Sequence, residues 1–219
     1  MRKIVFIPFL FILLFLSCGR RDVVDNNIPQ MSLRDTLHLL MDKALLVDSF
    51  EFATDSLPLA YLKTGYFLDS LTKNALLIYN PADTSYTIKL YTQANDIWYR
   101  MIRYRNMGGL PAFFEIKYMD YNFDGINDIY IQTSVSNNLP ISRGHLFTVD
   151  RDSLKLNYHY ETKDLGNLAP DKENKVVYSQ EAIIDNYGLW KYQVSAHQWE
   201  EGRLIIIRKE DPVDPDAGK

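Results

Sequence analysis

Apolar residues recur along this chain at two different periods. Between Ser32 and Ala44 they return every three or four residues, at Leu33, Leu37, Leu40, Met41 and Ala44, which predicts an amphipathic helix ending near Asp48. Ser32 and Asp35 stand at capping-box spacing in front of it, with Asp in the place of the usual Glu. From Ala75 onward the period shortens to two. Tyr86, Ile88 and Leu90 alternate with Thr87, Lys89 and Tyr91, and Leu154, Leu156, Tyr158 and Tyr160 alternate with Lys155, Asn157, His159 and Glu161. Trp190, Tyr192, Val194 and Ala196 stand in the same way against Lys191, Gln193, Ser195 and His197. Such alternation marks a strand with one buried face, so these apolar sets, Trp190 included, are expected in the core and His159 and His197 on polar faces. Similar runs near 75–80, 96–104, 112–119, 127–134, 144–150 and 175–180 bring the expectation to about nine strands. Their connections are too short for helical crossovers, so neighbours should pair antiparallel. The expected fold is mainly β: an antiparallel meander, as an open twisted sheet, a propeller-like arrangement or a small barrel, with one N-terminal helix. Residues 49–74, with Pro58, Gly65 and short apolar runs, fit neither period.

The first residues follow another logic. Arg2 and Lys3 precede an apolar run at 4–16, interrupted only by Pro8, and its 13 residues fall short of the ~20 a membrane-spanning helix needs. Residues 1–17 are therefore expected to be an export signal. The run stops at Leu16-Ser17-Cys18-Gly19, which resembles the lipobox of bacterial lipoproteins, although Phe15 stands where Leu is commoner. That resemblance implies acylation of Cys18, anchoring to a membrane without a spanning helix, and an outer-membrane location facing the periplasm or the surface. Residues 18–31 read as a polar tether containing Pro29, residues 32–209 as a single β-rich domain, and residues 210–219 (EDPVDPDAGK) as a disordered acidic tail.

Composition narrows the function classes. Of 219 residues 47% are hydrophobic and 24% charged, which fits one folded domain and excludes a polytopic membrane protein. The 24 Lys and Arg are outnumbered by 28 Asp and Glu, so nothing in the charge favours nucleic acid as a partner. Cys18 is the only cysteine, which leaves no internal disulfide. None of the four histidines sits in a zinc-protease, nucleophile-elbow or phosphate-loop motif, so no catalytic residue is assigned and an enzyme is not expected.

One constellation carries chemistry. In Asp120-Tyr121-Asn122-Phe123-Asp124-Gly125-Ile126-Asn127-Asp128, oxygen-bearing side chains occupy positions 1, 3, 5 and 9 and glycine position 6. Calcium takes six to eight oxygens, which Asp120, Asn122, Asp124 and Asp128 could supply with the carbonyl of Ile126 and water, while Gly125 permits the sharp bend. Carboxylates gathered without a cation repel by about 4 kcal/mol per pair at ~4 Å and an effective dielectric near 20. Neither histidine nor cysteine stands in the loop to draw a transition metal, so the expected cofactor is a structural calcium ion. An Asx-rich hairpin turn is the other reading of the same residues.

The first nine positions resemble the calcium loops of EF-hands and dockerins. Position 12 is Ile131 instead of a bidentate Glu, and the following Ile129-Tyr130-Ile131-Gln132-Thr133 is strand-like, so the stretch is closer to the DxDxDGxxD hairpin loops of FG-GAP and VCBS-type β proteins. Together with the lipoprotein signal and the late pair joined at Trp199-Glu200-Glu201-Gly202-Arg203-Leu204, residues 75–209 resemble small envelope β proteins of Gram-negative bacteria. Calcium-binding periplasmic immunity proteins, inhibitors of lysozyme-like peptidoglycan hydrolases, belong to that group. The resemblance implies a non-enzymatic binding protein whose partner is another envelope protein, such as a peptidoglycan hydrolase. The long segment at 134–144 (SVSNNLPISRG) offers Asn137, Asn138, Pro140 and Arg143 as a contact loop. Two alternatives stay open: a carbohydrate-binding surface lipoprotein of a glycan-uptake system presenting Trp98, Trp190 and Trp199, and a hydrolase without a recognisable motif.

Overall fold

The alternation from Ala75 onward folds into strands, and the stretch before it, without a clear period, adds two more. A computed structural model describes residues 32–54, 59–82, 84–136, 140–150, 152–153 and 155–213, all but Ser32 within one contact unit, Leu33–Lys219. The single α-helix among them, α1 (Leu33–Ala44), stops four residues before Asp48, with Asp35 in its first turn and Lys43 in its last, both favourable to the helix dipole. Thirteen strands follow: β1 (Phe50–Ala53), β2 (Ala60–Gly65), β3 (Asn74–Ala82), β4 (Ser85–Ala94), β5 (Ile97–Gly108), β6 (Glu115–Met119), β7 (Asp128–Val135), β8 (Ser142–Val149), β9 (Leu156–His159), β10 (Ala169–Asp171), β11 (Val176–Ile184), β12 (Trp190–Glu200) and β13 (Arg203–Lys209). The fold is mainly β with one helix. The meander is cut into three sheets, β1 to β5, β6 to β9 and β10 to β13, in each of which every strand pairs antiparallel with its neighbour in sequence. None of them closes into a barrel, and β1 and β2 come from the stretch that showed no clear period.

Alternation explains the stacking. In the first sheet Leu76, Ile78, Ile88 and Leu90 point one way, into a core shared with Ile129, Ile131, Phe147 and Val149 of the second sheet. The other face of the first sheet sends Ala60, Leu62, Ala75 and Leu77 against Leu37 and Met41 of α1. In the second sheet Tyr130 and Leu146, adjacent in the chain to residues of the shared core, turn the opposite way and meet Val177 and Leu204 of the third. The layers therefore run α1, first sheet, second sheet, third sheet, and β7 and β8 are covered on both faces. Close approach is enforced at Gly144, where any Cβ would fall 2.2 Å from the carbonyl oxygen of Ile131 on the paired strand.

Double-sided covering corrects two expectations about faces. His159 and His197 are buried, because the strand faces opposite the apolar ones meet another layer instead of water. Each is held by a hydroxyl: His159 Nε2 lies 2.7 Å from Thr148 Oγ1 and His197 Nε2 lies 2.7 Å from Ser179 Oγ. Trp190, expected in the core, is 41% exposed; only Ala196 of its apolar set is fully buried, since at the Trp190 end of β12 none of the three core clusters reaches the strand. Residues 210–213, assigned to the tail, continue as paired chain: the Glu210 amide donates to the Val194 carbonyl, and Val213 bridges Tyr192. Residues 214–219 lie outside the described part, as do residues 1–31 with the signal, Cys18 and the tether. No helix among the described residues is long and apolar enough to cross a membrane.

Candidate metal centre

The loop at 120–128 joins β6 to β7, and its residues are placed by the hairpin that they close. Met119 pairs with Asp128, so the chain leaves and re-enters the sheet at adjacent positions and the residues between must turn back within a short span. The turn uses two left-handed residues, Phe123 at φ 63° and Gly125 at φ 90°. Gly125 takes that conformation without steric cost, and Phe123 is kept there by packing against the cluster of Tyr121, Tyr130 and Leu146.

Three of the predicted ligands converge. Asp120 Oδ1 and Asn122 Oδ1 both accept from the Asp124 amide, at 3.1 and 3.2 Å, which sets the two oxygens side by side. The other Asp120 oxygen accepts from the Gly125 amide at 3.1 Å. Asp124 Oδ1 takes the Ile126 amide at 2.8 Å, and its Oδ2 takes Asn122 Nδ2 at 3.0 Å. The loop is thus wound around its own acidic side chains, as Asx turns are. Lys172, from the turn between β10 and β11, brings its ammonium to 3.6 Å from Asp120 Oδ2.

Asp128 stands apart in role. Its Oδ2 accepts the amides of Tyr121 and Asn122 at 2.7 and 3.1 Å, and its Oδ1 accepts that of Val149 in β8 at 2.9 Å. This fully buried carboxyl ties the start of the loop to a strand on the far side of β7. Burial pushes its pKa up to about 7, the three amide bonds pulling downward and Asp124 adding repulsion. Ile126 contributes its side chain to the core between the first two sheets, which leaves the backbone carbonyl as its only possible donor to a cation. Among the described residues no group of three or more His, Cys, Asp or Glu is placed to hold a metal ion; the convergent set is two carboxylates and one amide oxygen. All are hard oxygen donors, the type that calcium and magnesium take and zinc seldom does.

Sequence reasoning missed the surroundings of the loop. A cavity of about 400 Å³ opens beside it, lined by Asn122, Asp124, Thr148, His159, Trp199 and Gly202 among others. Trp199 donates its Nε1 hydrogen to the Tyr121 carbonyl at 2.7 Å and packs edge-on against His159 with ring centroids 4.7 Å apart. His159 Nδ1 is 3.8 Å from Glu161 Oε1, beyond hydrogen-bond reach, and burial lowers its pKa while Glu161 raises it. No local signal could have shown this, since the contributing strands are separated by dozens of residues. Of the proposed contact loop, Asn137 and Asn138 lie outside the described residues. The Pro140 carbonyl accepts from Asn167 Nδ2 at 3.1 Å, and Arg143, in β8, donates from Nε to the Asp164 carbonyl at 3.3 Å. The tryptophans considered for a sugar platform are dispersed in role. Trp98 donates to the Met41 carbonyl under α1, Trp199 serves the loop, and Trp190 alone of the three is exposed.

Neither a family model, nor a curated protein, nor a solved structure matches this chain.

Proposed function

We propose that this chain is a lipid-anchored binding protein of a bacterial cell envelope, acylated at Cys18, whose β stack is braced by calcium at the 120–128 loop. The observation that carries the reading is the gathering of Asp120, Asn122 and Asp124 oxygens in a tight turn between two paired strands. Asp120, Asn122 and Asp124 would hold the ion, with the Ile126 carbonyl and Asp128 completing the oxygen set. Bound calcium would offset the mutual repulsion of these carboxylates and stabilise the fold by about 2.7 kcal/mol at a concentration 100 times its dissociation constant. The work of the protein is recognition of another envelope protein of the lysozyme-like hydrolase class, through the segment at 134–144, which leaves the end of β7 opposite to the 120–128 loop. No reaction is assigned to it.

The test has three parts. Mass spectrometry of the mature N-terminus should find acylated Cys18. Thermal unfolding should shift upward with excess calcium over chelator, and Asp120→Ala or Asp124→Ala should abolish the shift. A lysozyme-type enzyme should bind the protein and lose activity, with Arg143→Glu weakening the complex. Superimposable melting curves with and without calcium would remove the metal, and a Cys18 free of lipid would remove the anchor.

A further inference from the structure

The face of the first sheet that carries α1 changes character across the strands. One cross-strand row runs Leu62, Leu77, Lys89, Arg103, and a second runs Ala75, Tyr91, Arg100. Both begin apolar, under the helix, and end cationic, beyond it. Where they change, a cleft of about 580 Å³ opens. Its apolar side is made by Leu33, Leu37 and Met41 of α1 with Leu77 of β3. Its polar side carries Lys89, Arg100 and Arg103 with the hydroxyl-bearing rings of Tyr79 and Tyr91, and its lining contains no carboxylate.

Three features point to a bound anion. First, this cationic group belongs to a chain with more acidic than basic residues, so the balance is inverted locally. Second, among the described residues no ion pair joins Lys89, Arg100 or Arg103 to a carboxylate, although Lys63, Lys117, Lys172 and Arg208 each meet one elsewhere, and the Lys89 ammonium rests over the Tyr79 ring at 5.0 Å. Third, the positive field acts on Tyr79: burial raises its phenol, yet the Lys89 charge, a hydrogen bond with Thr87 and the Arg103 charge together bring the group below its usual value, whereas at Tyr91 burial outweighs Arg100 and Arg103. Asp42 and Asp96 line a separate depression that shares His38, Met41 and Tyr91 with the cleft.

From this geometry we propose that the cleft binds a small amphipathic anion, a phosphate or carboxylate group carried on an apolar or aromatic body. The guanidinium groups of Arg100 and Arg103 offer planar forks suited to such oxyanions, and the volume lies within the range of ordinary small-molecule sites. The apolar body would lie against Leu33, Leu37 and Leu77, and the anionic group against Lys89, Arg100 and Arg103. This site is distinct from the 120–128 loop and does not rest on the calcium reading.

Calorimetric titration of the full chain with 2-naphthyl phosphate, inorganic phosphate and 2-naphthol separates the parts. The aromatic phosphate should bind saturably at one site, with each half-molecule weaker by at least about tenfold. Arg100→Glu and Arg103→Glu should each weaken it by about tenfold or more while leaving the unfolding midpoint in place, since both side chains are exposed. Absence of saturable binding by the aromatic phosphate would overturn the proposal. Binding unchanged by both charge reversals, or equalled by inorganic phosphate alone, would overturn it as well.

Discussion

β7 and β13 are built from nearly the same kind of residues and meet opposite fates. β7 reads Asp-Ile-Tyr-Ile-Gln-Thr-Ser-Val and β13 Arg-Leu-Ile-Ile-Ile-Arg-Lys. In β7, Ile129, Tyr130 and Ile131 are 0%, 1% and 0% exposed; in β13, Ile205, Ile206 and Ile207 are 41%, 48% and 49% exposed. The difference is position. β7 has a paired strand on each side and a sheet over each face, whereas β13 ends its sheet and, among the described residues, has no strand beyond it. Exposed apolar edges invite pairing with other chains, and β13 is blunted as such edges usually are. Arg203 stands at one end and Arg208 and Lys209 at the other, and a register shift between Ala196 and His197 leaves Ile207 unmatched. Apolar character in a strand therefore reports only that it can be buried; the stack decides whether it is.

The comparison can be broken or sharpened by measurement. The largest effect expected is from Ile131→Ala, about 4 kcal/mol lost in urea unfolding, because methyl groups vanish between two packed sheets. Asp128→Ala should follow at about 3 kcal/mol, from three buried amides left without an acceptor. Saturating calcium should raise stability by about 2.7 kcal/mol in the parent and by nothing in Asp124→Ala, measured as the shift of the melting midpoint. Ile206→Ala closes the series at under about 1 kcal/mol, its side chain being half in water already. Equal losses from Ile131→Ala and Ile206→Ala would show that β13 is covered in solution.

A pH series probes the same contrast through histidine. Burial lowers the pKa of His145, His159 and His197 below 6.5, opposed in turn by the Gly108 carbonyl, Glu161 and Glu181. In that window the unfolded chain binds more protons than the folded one, so their contribution is full above about 6.5 and is lost as pH falls through it. Asp128, raised to about 7, has the opposite sign: the folded form holds the extra proton, and its contribution weakens as pH rises toward 7. Comparing parent with His197→Gln cancels Asp128. The parent should lose stability relative to the variant as pH drops from 7.5 to 5.5, and parallel curves would remove the assignment to His197.

Much of this was open to reading from the residues alone. The helix period located α1 to within four residues at its end, and the alternation located the strands from β3 onward except the three-residue β10, since both depend on local backbone geometry; thirteen strands stand where about nine were expected. The turn at 120–128 was equally visible, because most of its side chains bond amides within seven residues, the Asp128 bond to Val149 being the long-range exception. β2 escaped because its faces are covered by α1 on one side and the second sheet on the other, which erases the alternation, and β1 because its four residues are too few to show a period. The cleft escaped for another reason. Lys89 reads as an ordinary outward residue of β4, and Arg100 and Arg103 as an ordinary solvated strand, although only Asp96 interrupts the cationic character of residues 85–114.

What the order of residues determined by itself was everything carried by neighbours in the chain: the period of each element, the turn closing the 120–128 hairpin and its oxygen donors. What the tertiary structure alone decided was which face meets which layer. That choice buried His159 and His197, exposed Trp190, and set three cations beside the apolar face of a helix. The physical reason is that burial is a property of stacked surfaces, fixed by partners dozens of residues away, whereas backbone period and side-chain spacing are fixed within a few bonds.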